Sequence, residues 1–107
     1  MSNLKFGLEI RLNEEKIKAE KVYSVEKIEK FFNEIFSSKG MCKNDDGIYI
    51  NGSFEVCGGF ILSMLKRDWF KRYVHKFFLY EFEDGNIIYK EDLLKEKEAY
   101  AEKIVYL

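Results

Sequence analysis

Leu4-Lys5-Phe6-Gly7-Leu8-Glu9-Ile10-Arg11-Leu12 alternates apolar and polar residues, the period of two expected of a strand with one face buried. Its reverse face carries Lys5, Glu9 and Arg11. A second strong strand begins at His75, where Phe77 and Leu79 alternate with Phe78, Tyr80 and Phe82 until Asp84-Gly85-Asn86 turns the chain. Both faces of this strand are apolar, whereas a one-sided sheet needs only one. If the two strands are neighbours, the face bearing Phe78, Tyr80 and Phe82 is only partly covered, and exposed aromatics rimmed by charge mark a partner surface. The competing expectation is that the last helix, or Tyr49 and Phe54, covers it.

Between these strands, Val25, Ile28, Phe31, Phe32, Ile35 and Phe36 take helical spacing. Ser24 is the expected N-cap, Glu26 suits the first turn, Tyr23 is placed to staple onto Ile28, and Gly40 ends the helix. Residues 13–23 are highly charged. Asn51-Gly52, between Ile48-Tyr49-Ile50 and Ser53-Phe54-Glu55-Val56, predicts a hairpin with a type I′ turn. Gly58-Gly59 is expected to break the chain before a helix carrying Phe60, Ile61, Met64 and Leu65. That helix continues or kinks near Asp68 into Trp69, Phe70, Tyr73 and Val74. From Glu91 onward, Leu93, Leu94, Tyr100, Ala101 and Ile104 recur at helical spacing among strong helix formers. The expected order is β-α-β-β-α-β-α: an α+β fold with a mostly antiparallel sheet and helices packed on one face.

The 107 residues amount to a single domain, 1–107, and 47% apolar content with 17% aromatics excludes a disordered chain. Eighteen basic against nineteen acidic residues leave a net charge of −1, so no overall field recruits nucleic acid or an anionic membrane. No secretory leader is expected at the amino terminus, and the apolar run around 60–65 is far too short to span a bilayer. A cytoplasmic protein with reduced Cys42 and Cys57 is the expectation.

Catalytic chemistry has little to build on. His75 is the only histidine and could act only with Cys42 or Cys57, if the fold brought them together. One His and two separated Cys do not make a zinc site, and Asn44-Asp45-Asp46-Gly47 lacks the ligand pattern of a calcium loop and reads as a solvated turn. Cys57-Gly58-Gly59 ahead of a helix offers backbone amides to a phosphate, without the spaced glycines of a nucleotide-binding loop. No catalytic residue, metal or cofactor is therefore expected.

Local charge says more. Lys66, Arg67, Lys71, Arg72 and Lys76 face Asp68 alone across eleven residues interleaved with Trp69, Phe70 and Tyr73, a composition that can bind single-stranded nucleic acid. The plainer reading turns the aromatics to the core and the cations to solvent. From Glu81 onward eight acids outnumber four lysines, so an acidic segment follows a basic one, and each is a possible docking surface for a charged partner.

Asp68-Trp69-Phe70-Lys71-Arg72-Tyr73-Val74 running into the aromatic strand, after Phe6-Gly7-Leu8-Glu9-Ile10 and Tyr23-Ser24-Val25-Glu26-Lys27-Ile28, resembles small proteins carried by bacterial conjugative elements and phages. The matching motifs are structural and carry no catalytic residues over. The resemblance implies an inhibitor of the anti-CRISPR type, occupying a surface of an RNA-guided nuclease complex. A net charge of −1 departs from that of a strong DNA mimic. The expected function is thus a non-enzymatic binder of a host or nuclease protein, or of a second copy of itself, through Phe78, Tyr80 and Phe82. The alternative is a nucleic-acid-binding accessory protein using Lys66, Arg67, Trp69, Lys71, Arg72 and Lys76. No membrane partner is expected.

Overall fold

The computed structural model describes residues 4–95. The elements are β1 (Leu4–Leu12), α1 (Glu14–Glu20), α2 (Val25–Ser38), β2 (Cys42–Lys43), β3 (Ile48–Gly52), α3 (Phe54–Leu65), α4 (Asp68–Tyr73), β4 (Val74–Glu83) and β5 (Asn86–Asp92). The strands form one antiparallel sheet in the order β2-β3-β1-β4-β5. The fold is α+β.

The alternation in the first strand places it at the centre of this sheet. Leu8 lies opposite Leu79 on one side and Tyr49 on the other, and all three join the core beneath the helices. Every buried helix residue belongs to that same core: Ile17 of α1, Val25, Ile28, Phe32 and Phe36 of α2, Cys57, Phe60, Ile61 and Met64 of α3, and Phe70 and Tyr73 of α4. The helices therefore form one layer on one face. Aromatic rings dominate the contact between layers, with Phe36 stacked on Tyr49 at 4.3 Å and Phe70 edge-on to Phe77 at 4.9 Å. Burying a side chain of this size contributes ~1.5–3 kcal/mol, so these rings are the main source of cohesion.

Helix α2 starts as its sequence predicts: the Ser24 hydroxyl accepts from the Lys27 amide at 3.3 Å, and Gly40, with φ +78°, lets the chain leave in the left-handed region. Tyr23 packs edge-on against Tyr73 and beside Trp69. The charged stretch after β1 contains the short helix α1, capped by Asn13, whose Oδ1 accepts from the Lys16 amide.

The hairpin expected around Asn51-Gly52 does not form. Asn51 has φ +69°, but Gly52 is not left-handed, so the type I′ geometry is missing. Ser53 caps α3 instead, its hydroxyl accepting from the Val56 amide at 3.1 Å. Gly52 belongs to a close approach: a Cβ there would lie 2.8 Å from Cys57 Sγ and Met41 Cε. Nor do Gly58 and Gly59 break the chain; they lie inside α3. Burial of Cys57, Phe60, Ile61 and Met64 outweighs the ~1 kcal/mol that each helical glycine costs. The real hairpin joins β2 and β3 through the predicted turn at 44–47, where Asn44 Oδ1 accepts from the amides of Asp46 and Ile48 and Gly47 takes φ +79°.

The helix expected from Glu91 does not begin there. Glu91 and Asp92 close β5, a strand not predicted, and Leu93 to Lys95 form a turn. Tyr100, Ala101 and Ile104 lie outside the described residues. Lys66 and Arg67 separate α3 from α4, which is the anticipated kink near Asp68.

Candidate functional site

The reverse face of the sheet is built by β1, β3, β4 and β5. Register places Lys5 opposite Phe82, Gly7 opposite Tyr80, Glu9 opposite Phe78 and Arg11 opposite Lys76. On the far side of β4, Tyr80 pairs with Lys90 and Phe78 with Asp92. Strand pleating therefore brings Phe78, Tyr80 and Phe82 into a row, with centroids 6.5 and 6.1 Å apart. The Lys90 ammonium sits over this row, 4.4 Å from the Phe78 centroid and 5.4 Å from that of Tyr80.

The row is partly absorbed by the protein itself. Tyr80 is only 5% exposed, while Phe78 and Phe82 are half-buried. Among the described residues, Tyr80 and Ile48 are the buried apolar residues outside the main core cluster, and both lie on this face beside Phe82 and Gly7. Gly7 makes this packing possible: a Cβ at that position would lie 2.8 Å from the Tyr49 carbonyl oxygen, 3.0 Å from Phe82 Cε2 and 3.3 Å from Ile48 Cγ2. The Phe82 ring thus lies over bare backbone, an aromatic covering a strand glycine. Of the predicted covers, the last helix falls largely on 96–107, outside the described residues, and the other two do not lie here. Tyr49 faces the main core, and Phe54 opens α3 beside Phe6.

A polar relay borders the row. Tyr80 Oη donates to Glu9 Oε1 at 2.7 Å, Arg11 Nε donates to Glu9 Oε2 at 2.8 Å, and Arg11 Nη2 donates to the Asp46 carbonyl at 2.6 Å. Burial opposes the charge on Glu9, yet the hydrogen bonds from Tyr80 and Arg11 prevail and hold its carboxyl below the ordinary value. The Tyr80 phenol is pushed up to about 12 by burial and by its hydrogen bond to the carboxylate. This relay ties the centre of the sheet to the turn between β2 and β3. It fixes the orientation of one ring and leaves Phe78 and Phe82 as the accessible aromatic surface.

The basic segment is arranged differently. Lys66, Arg67, Lys71, Arg72 and Lys76 are all exposed. Trp69, however, is half-buried and ringed by aromatics, stacked on Phe32 at 6.1 Å and edge-on to Phe31 at 5.8 Å and Phe70 at 5.9 Å. Arg72 makes a two-pronged contact with Glu20 at 2.7 and 3.0 Å, and Lys71 lies 3.6 Å from Asp68. The Tyr73 hydroxyl donates to the same Glu20 carboxylate, which lies below its usual range through the bonds from Arg72 and Tyr73.

His75, Cys42 and Cys57 do not converge. Cys57 is buried in α3, its thiol raised to about 11 by burial; Cys42 is exposed on the edge strand β2; His75 is exposed on β4, with β3 and β1 between it and Cys42. Cys57-Gly58-Gly59 cannot offer a helix N-terminus, because the Cys57 amide already donates to the Ser53 carbonyl within α3. Among the described residues no group of three His, Cys, Asp or Glu side chains is placed to hold a metal, and no described helix is long and apolar enough to cross a membrane.

No family model, curated protein or solved structure matches this chain.

Proposed function

We propose that this protein is a non-enzymatic protein-binding module whose contact surface is the reverse face of its sheet, with Phe78 and Phe82 as the accessible aromatics and the buried Tyr80 holding the row in place between them. The observation that carries this reading is the aromatic row beneath Lys90 on the face away from the helices. Half-buried aromatics held rigidly in strands lose little conformational entropy on binding, and the surrounding Lys5, Arg11, Lys76, Lys90 and Asp92 form a charged rim. The target follows from the resemblance of the motifs to mobile-element proteins: a surface of an RNA-guided nuclease complex, blocked at a fixed ratio rather than consumed by turnover.

Titrating the protein against such a nuclease at fixed concentration tests this. Inhibition is expected to saturate near a fixed stoichiometry, and Phe78→Glu is expected to weaken it by at least about tenfold, the ~1.4 kcal/mol or more typical of a contact at an interface centre. Full inhibition by Phe78→Glu, with native circular dichroism, sinks the proposed surface. Inactivation of many nuclease molecules per copy sinks the non-enzymatic reading.

A further inference from the structure

The charges on the reverse face of the sheet are unevenly partnered. Register brings four cations and two carboxylates of the strands onto it: Lys5, Glu9 and Arg11 from β1, Lys76 from β4, and Lys90 and Asp92 from β5. Both carboxylates are already engaged. Glu9 accepts from Tyr80 and Arg11, and Asp92 Oδ1 accepts from the amides of Leu94 at 3.1 Å and Lys95 at 3.2 Å. Arg11 is held by Glu9 and the Asp46 carbonyl. Lys5, Lys76 and Lys90, by contrast, are exposed and form no ion pair among the described residues.

We propose that the partner of this face is an acidic polypeptide segment, whose carboxylates reach Lys5, Lys76 and Lys90 around an apolar side chain seated on Phe78 and Phe82. This rests on the sheet face being the contact surface and adds the chemistry of what it contacts. A partner bearing carboxylates gains three attractions without breaking an internal pair. A basic partner meets three lysines and finds both acids engaged. The lysine stems can lie along apolar surface while their ammonium groups stay at the wet rim, so the pairing carries little desolvation cost.

Spacing sets the length of that segment. Lys5 precedes Arg11 on β1, and Arg11 lies opposite Lys76, so the two cationic ends of the face are ~20 Å apart at ~3.3 Å per residue. Lys90, opposite Tyr80, stands between them on the β5 side. An extended segment of about seven residues covers this length, with acids near its ends and an apolar side chain between them. Single-stranded nucleic acid would also meet the lysines, but it needs ring faces on which bases can stack. Here the Lys90 ammonium sits 4.4 Å from the Phe78 centroid and 5.4 Å from that of Tyr80, Tyr80 is only 5% exposed, and Phe82 lies against Gly7. The rings are thus capped, buried or laid against backbone, and the group presented over them is an ammonium, which takes a carboxylate.

The test titrates the full chain at low salt with two short synthetic peptides, one with glutamates flanking a central Phe-Leu pair and one with lysines in their place, while amide NMR shifts are followed. The glutamate peptide is expected to shift residues 76–82 and 90 and to bind more weakly as salt is added, because exposed charge pairs are screened. The combined Lys5→Glu, Lys76→Glu, Lys90→Glu variant is expected to weaken it at least about tenfold, as three exposed attractions become repulsions. Should that variant lose its native circular dichroism, Lys5→Gln, Lys76→Gln, Lys90→Gln carries the test with an expected loss of about threefold. Equal binding of the two peptides, no binding of the glutamate peptide at low salt, or undiminished binding by the lysine variant overturns the proposal. Binding of an oligouridylate to the same residues in place of the glutamate peptide overturns it in favour of single-stranded RNA. Peptide binding lost in Phe78→Ala but kept in the lysine variant overturns the acidic partner while leaving the sheet face as the contact surface; shifts confined to other residues overturn both.

Discussion

Replacing Gly7 by alanine tests whether the aromatic row is built into the fold through bare backbone. In an ordinary strand the change would stabilise by ~0.4–1 kcal/mol, because alanine restricts the unfolded chain. Here the new methyl carbon would stand 2.8 Å from the Tyr49 carbonyl oxygen, a backbone atom of the neighbouring strand, and 3.0 Å from the Phe82 ring. Phe82 can tilt; the carbonyl can move only by parting β1 from β3. Overpacking of this kind costs ~1–3 kcal/mol, so the net expectation is a loss of ~1–2 kcal/mol. With a urea slope of about 2 kcal/mol per molar, the unfolding midpoint falls by about 0.5–1 M with its slope unchanged. Combining Gly7→Ala with Phe82→Leu separates the two obstacles. If the carbonyl is the harder one, the double variant regains little and the coupling between the sites stays under ~0.5 kcal/mol. A Gly7→Ala protein as stable as the parent, or more so, refutes the close approach and with it the account of why Phe82 lies where it does.

Two further outcomes follow from the same structure. Tyr80→Phe removes the hydrogen bond to Glu9 and is expected to cost ~1 kcal/mol near neutral pH. Because the folded carboxyl of Glu9 titrates below its unfolded value, the stability it contributes is present above the unfolded value and is lost as pH falls through the folded one. Tyr80→Phe should flatten this acid limb in urea titrations run downward from the unfolded carboxyl value, and an unchanged limb removes Tyr80 from the relay. For nucleic acid, the reversal Lys66→Glu, Arg67→Glu, Lys76→Glu is the informative variant, since reversing Arg72 would also unpair Glu20. If the parent binds single-stranded DNA or RNA with a steep salt dependence and the triple variant loses it, the basic segment is the nucleic-acid surface; no binding at low salt eliminates that alternative.

The most legible elements are those where one face alone is buried: β1 and α2 show clean periods because solvent and core select opposite residue types on their two sides, and Ser24 and Gly40 mark the ends of α2 by local chemistry. β4 is apolar on both faces and is legible instead from its run of aromatics between His75 and the turn at Asp84-Gly85-Asn86. α3 was obscured because Asn51-Gly52 carries the signature of a tight turn and Gly58-Gly59 that of a break, whereas packing against Met41, Phe36 and Phe77 decided both. β5 was invisible because Ile87, Ile88 and Tyr89 are consecutive and all about half exposed, so no alternation survives. At the candidate site, the excess of apolar residues on β4 was readable. The role of Gly7 was not, since a glycine in an alternating strand gives no hint that the ring covering it lies some seventy-five residues further on.

The central place of β1 has a consequence for synthesis. Its principal partner along the sheet, β4, follows it by about seventy residues, so at a translation rate of ~5–20 residues per second the first strand emerges roughly 4–14 s before the strand that shelters it. Until β3 emerges the first strand has no neighbour, and until β4 follows it is paired along one edge only, so its other edge is open to chaperones or to mispairing with another nascent chain. Burial of the first strand cannot be completed until β4 has left the ribosome, and the rate of that closure, set by a long loop rather than by local helix formation, governs how much newly made protein reaches its working form.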